Sequence, residues 1–190
     1  VIQPERVYRK SDYLMKQQRH TPREIALAGA FGAAALLLPI LFHVIHLGAI
    51  FLPMYLPLMG LAFFVRPVVA STTALLTPLL SGVVSGMPPF YPPIAPIMAV
   101  ELAVMAALIA AFYRKGRGIN EWLLLGAVLV IGRIIFALLA YGVARIFELP
   151  AGFVAGISFI SGWPGLILMM VVIPPFVRRF RDRPVFAQAT

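Results

Sequence analysis

Residues 25–65 contain no Asp, Glu, Lys or Arg. A helix crossing the roughly 30 Å hydrocarbon layer of a bilayer needs about 20 apolar residues, so this run holds two crossings with a turn between them. The rest of the chain agrees: of 190 residues, 61% are hydrophobic and only 12% charged. Soluble domains carry about twice that charge, and a chain this poor in solvated groups cannot cover a water-facing surface. The length gives room for about six spans with short loops and leaves nothing for a separate soluble catalytic domain. The lack of cysteine removes disulfides, thiolate metal sites and a cysteine nucleophile.

The expected fold is therefore an all-α integral membrane protein: a basic segment over residues 1–20, a six-helix transmembrane domain over 21–177 and a basic tail over 178–190. The polar opening does not read as a signal peptide, because the apolar run behind it continues into further spans. Thr21-Pro22-Arg23-Glu24 reads as a capped helix start, with proline at the first helical position and glutamate at the third. The first helix is expected over 21–45, turning near His46-Leu47-Gly48. The second, over 50–65, is short for a full span and is stopped by Arg66-Pro67, since proline disfavours helix in its predecessor. The third covers 67–85 and ends at the proline-rich Gly86–Pro93 loop. The fourth is expected over 94–113, and the fifth over 120–146 with Asn120 as its cap. The sixth is expected over 151–176, bending at Trp163-Pro164 and ending at Pro174-Pro175.

Six spans put both termini on one side, and the positive-inside rule tests that count independently. The basic residues of 1–23, Arg66, Arg114, Lys115, Arg117 and Arg178 to Arg183 all fall on that side, which is expected to be cytoplasmic. The net charge of +9 thus reports topology and attraction to anionic lipid rather than nucleic-acid binding.

Two charged residues lie deep in the hydrocarbon, Glu101 on the fourth helix and Arg133 on the fifth. Facing lipid, each would cost about 2.5 to 3.5 kcal/mol, so both should point inward. Counted from the cytoplasmic ends of their helices at 1.5 Å per residue, both lie roughly 17 to 18 Å deep, close enough in height to pair. Two readings stay open: an ion pair that fixes the two helices, or charges that face a ligand. Toward the outer side lie His43, His46, Tyr91, Tyr141 and Arg145, with Trp163 on the sixth helix. Such groups suit a pocket for a planar, partly anionic organic molecule, and equally an interfacial aromatic belt. His43 and His46 have the spacing for shared metal ligation, but no carboxylate or thiolate completes a shell, so neither a metal nor a cofactor is expected.

Ala26, Ala30 and Ala34, with Gly29 and Gly32, give the first helix a nearly smooth face on which another helix can approach closely, whether from this chain or from a partner. Ser158, Ser161, Gly162 and Gly165 make a second small face on the sixth helix. The chain lacks a G-x-x-x-x-G-K-[ST] loop, a G-x-S-x-G elbow and an H-E-x-x-H pair, so it is not expected to hydrolyse ATP or act as an enzyme of those kinds. No self-similarity relates residues 21–86 to 94–177, which argues against a carrier built from inverted repeats. The lack of a polar stripe or charged ring argues against a channel.

Phe51-Leu52-Pro53-Met54-Tyr55-Leu56-Pro57, Leu79-Leu80-Ser81-Gly82 and Gly86-Met87-Pro88-Pro89 leading to Met98-Ala99-Val100-Glu101-Leu102 resemble the substrate-binding S components of energy-coupling factor transporters. The likeness spans roughly residues 24–177. It implies a small membrane protein that captures a vitamin or related micronutrient at the outer face. It also implies a transmembrane coupling subunit and two cytoplasmic ATPases as partners, docked through the alanine face at Ala26, Ala30 and Ala34. The pocket implied by the resemblance lies in the outer half, at His46, Tyr91, Glu101, Arg133, Tyr141, Arg145 and Trp163. The alternative from another class is a small membrane enzyme or assembly scaffold centred on Glu101 and Arg133.

Overall fold

A computed structural model describes residues 22–44, 51–115, 119–148 and 162–183. They form six helices: α1 Pro22–Val44, α2 Tyr55–Ala62, α3 Pro67–Ser85, α4 Ile94–Lys115, α5 Glu121–Ile146 and α6 Trp163–Phe180. All but α2 are long and apolar enough to cross a membrane. The protein is a multi-pass, all-α membrane bundle.

The helix ends follow local chemistry. Proline opens α1 and α3, where a missing backbone N–H costs nothing because no intrahelical acceptor awaits it. Asn120 caps α5 as expected, its side chain accepting from the Trp122 N–H at 3.0 Å. Gly86 closes α3 at φ 72°, a left-handed conformation that side chains with a Cβ resist, and donates to the Gly82 carbonyl. The expected stop of the last helix at Pro174-Pro175 is overturned: α6 continues through both prolines to Phe180. In an apolar surrounding the neighbouring peptide groups have no water to turn to, so keeping the remaining helical bonds outweighs the few that proline removes. Pro39 and Pro78 lie inside α1 and α3 for the same reason. Residues 151–161, expected to open the sixth helix, lie outside the described residues, as do Thr21 and the turn at 46–48.

The polar side of α3 is satisfied within the helix. Thr72, Thr73, Thr77 and Ser85 each return a hydroxyl to the carbonyl one turn back, at 2.7 to 2.8 Å.

The short α2 is the centre of the bundle. It contacts α1, α3, α4 and α6, and of its residues only Leu56 is not buried. From Tyr55 to Val65 the segment contributes Leu58, Met59, Leu61, Phe63 and Val65 to the main core, each 0 or 1% exposed. Because protein encloses it, it need not match the thickness of lipid, which explains why it is too short for a span standing alone. α1 lies at the periphery and leaves Ile25, Leu37, Ile40 and Leu41 exposed.

One end of the bundle collects the charges. Glu24 at the start of α1 accepts from both the backbone N–H and the Nε of Arg66, each at 2.9 Å. Glu121 at the start of α5 accepts from Arg178 Nε at 3.0 Å and Arg181 Nη1 at 3.4 Å. Ring contacts join these two groups into one end: Phe64 meets Phe176 and Phe63 meets Tyr113, whose hydroxyl lies 3.5 Å from Glu121. At the other end the 86–93 loop folds back on α3, with Ser81 Oγ donating to the Met87 carbonyl at 2.6 Å.

Candidate functional site

Midway between these ends, α2, α4 and α5 each send one polar side chain to a common point. Tyr55 is the first residue of α2 and is 1% exposed; its hydroxyl donates to Glu101 Oε2 at 2.5 Å. Glu101, fully buried on α4, places Oε1 3.3 Å from Nη2 of Arg133 on α5. The expectation that the two charges lie at matching depth is met. The guanidinium is flanked by the Tyr55 ring, 5.4 Å from its centroid, and by the Phe136 ring at 5.8 Å, both within reach of a cation–π attraction.

The site interrupts the apolar interior. On the side of the charged end lies the main core, which includes Leu102 and Met105 of α4 and Leu125 and Leu129 of α5; Ile97, Phe136 and Ala140 form a separate small cluster, and Met98 packs against both. The amino end of α6 approaches as well. A Cβ at Gly162 would stand 3.3 Å from Arg133 Nη1 and 3.0 Å from Leu52 Cδ1, and one at Gly165 would stand 2.6 Å from the Phe51 carbonyl oxygen. The two glycines expected to form a smooth face therefore let the Phe51-Leu52 turn press against α6. Leu52 itself sits at φ 48°, a conformation that costs about 1 kcal/mol or more and is held by this packing.

The hydrogen bonding is incomplete. Glu101 Oε1, Arg133 Nε and Arg133 Nη2 are buried and have no hydrogen-bond partner among the described residues. The 3.3 Å approach of Nη2 to Oε1 satisfies charge attraction but not hydrogen-bond alignment. Leaving such atoms unmet is costly, about 1 to 3 kcal/mol each and more for charged groups.

Of the other expected residues that are described, none joins this cluster. Tyr91 is 74% exposed in the 86–93 loop and Trp163 is 56% exposed at the start of α6. Tyr141 is exposed and lies beneath the guanidinium of Arg145, 5.8 Å from its centroid, so these two pair with each other on the outside of α5. His46 and the side chain of His43 lie outside the described residues. Tyr55 is the member that sequence reasoning missed. Its signal was a phenol inside a charge-free apolar run, where a buried hydroxyl must find a polar partner.

On α1, Ala26 and Ala30 are exposed and Ala34 is partly so, while Leu27 and Ala35 face inward. Gly29 has open space around it. Among the described residues the face is thus left uncovered at Ala26, Gly29 and Ala30, whereas a Cβ at Gly32 would stand 3.5 Å from Thr73 Cγ2 of α3.

No family model, curated protein or solved structure matches this chain.

Proposed function

We propose that this chain is the substrate-capturing S subunit of an energy-coupling factor transporter. It takes up a vitamin or related micronutrient from the face opposite the charged end. A transmembrane coupling subunit and two cytoplasmic ATPases supply the energy; the chain itself hydrolyses nothing and holds no cofactor. The observation that carries this reading is the convergence of Tyr55, Glu101 and Arg133 from three helices with three buried polar atoms unmatched. The collection of basic residues at one end supports cytoplasmic termini, the S-subunit reading itself implies a prokaryotic cell membrane, and the uncovered Ala26 and Ala30 of α1 support docking on the coupling subunit.

Isothermal titration of the protein in lipid nanodiscs with thiamin, riboflavin, biotin, pantothenate, folate, cobalamin and queuosine precursors tests capture. One-to-one binding of one compound is expected, and no binding across the series would defeat the reading. Arg133→Lys preserves the charge beside Glu101 but removes the planar edge of the guanidinium, so it should weaken binding more than tenfold with little change in melting temperature. Ala30→Leu should leave binding unchanged and abolish co-purification with the coupling subunit. The orientation is open to a direct test because the natural chain has no cysteine. Single cysteines at Met87 and Lys115 should label from opposite sides of the membrane.

The competing reading is a membrane enzyme or scaffold built on the same three side chains, a phenol hydrogen-bonded to a buried carboxylate beside a guanidinium. Turnover of a lipid-soluble substrate by the lone chain would select it.

A further inference from the structure

The charge balance of the centre bears on what it can hold. Glu101 and Arg133 are groups of opposite formal charge 3.3 Å apart. The other charged residues described stand at the charged end or, like Arg145 and Glu148, toward the far end of α5. Arg145 is twelve positions from Arg133, which at 1.5 Å per residue is about 18 Å along the helix. The site is therefore close to neutral in sum and isolated. A carboxylate or phosphate entering it would gain from the guanidinium and lose to the adjacent Glu101 oxygen, leaving an uncompensated negative charge in an apolar interior.

The unmet valences point the same way. Tyr55 occupies Oε2 of Glu101, so Oε1 is left to accept one N–H or O–H. Nε and Nη2 form one edge of the guanidinium and are left to donate. The complement is a donor and an acceptor side by side on one rigid edge, as in an amide, lactam, ureide or aminopyrimidine. The Phe136 and Tyr55 rings beside the guanidinium suit a flat group lying against them.

We infer that the Tyr55–Glu101–Arg133 centre binds the net-neutral, planar donor–acceptor head of its substrate, and not an anionic group. This rests on the capture reading and specifies the substrate class of the same site. It replaces the expectation of a partly anionic ligand head.

Two matched pairs of small probes test it by calorimetry on the protein in nanodiscs: nicotinamide against nicotinate, and uracil against orotate. The wild-type protein should bind the neutral member of each responding pair at least tenfold more tightly. In Glu101→Gln, which gives the centre a net positive charge, the ratio should move at least tenfold toward the carboxylate. Carboxylate preference in the wild type, or no response to all four probes, would overturn the inference without touching capture, which the vitamin titration decides. The wild-type ratio stands as a readout even if the variant folds poorly. An unmoved ratio in a folded Glu101→Gln protein would show that the discrimination does not come from this charge and would likewise overturn it.

Discussion

The charged end and the middle of the bundle use the same two side-chain types and reach different outcomes. At the end, Glu24 grips Arg66 through two bonds of 2.9 Å, and Glu121 holds Arg178 and Arg181. The arginines there remain partly exposed, with side-chain accessibilities of 23%, 52% and 54%. In the middle, Glu101 and Arg133 are closer to full burial, yet their 3.3 Å contact lacks a hydrogen bond, whereas each of the end contacts, at 2.9 to 3.4 Å, is one. Burial should demand the better geometry, because water cannot supply missing partners there. The difference teaches that the end pairs fasten helices through aligned hydrogen bonds, while the middle pair leaves part of its hydrogen-bonding capacity unused.

The largest effect is expected from breaking the middle pair. Arg133→Ala leaves the Glu101 carboxylate buried without its countercharge and should destabilise the protein by about 3 kcal/mol, read from denaturation in detergent. Adding Glu101→Gln should recover more than half of that loss, since the stranded charge is gone. If the single change costs less than the end-pair change below, the contrast between middle and end collapses.

A middle-sized effect is expected from Glu24→Gln. The amide keeps one acceptor for the Arg66 backbone N–H but turns an N–H₂ group toward Nε, which is itself a donor. Losing one charge-assisted bond costs about 1.5 kcal/mol. The melting temperature should fall accordingly, while ligand affinity at the distant centre should hold.

The same contrast bears on what could be read before the structure. The depth match of Glu101 and Arg133 was legible because helical rise is nearly constant and each lies on a helix with a recognisable end. The role of Tyr55 was not, since it depends on α2 being enclosed by four other helices, a property of packing that periodicity does not encode. Glu24 has the position of a capping-box glutamate in the sequence, but its carboxylate reaches Arg66, forty-two positions along the chain. Stopping the last helix at Pro174-Pro175 applied a proline rule suited to chains with water nearby. Tyr91, Tyr141 and Trp163 share only a height along their helices; height says nothing of azimuth, and all three are exposed.

The smallest effect is expected from Arg181→Ala, and it sharpens what fastening means at the charged end. Arg181 reaches Glu121 at 3.4 Å with a side chain 54% exposed, while Arg178 holds the other carboxylate oxygen at 3.0 Å. Removing Arg181 leaves Glu121 with one guanidinium and, on that side, access to water. Exposed pairs contribute about 0 to 1 kcal/mol, so the loss should be under about 0.5 kcal/mol, and added salt should shrink the difference further. A loss comparable to that of Glu24→Gln, insensitive to salt, would show that the α5–α6 junction is a tightly coupled network. The end and the middle would then differ in accessibility alone rather than in how their charges are matched.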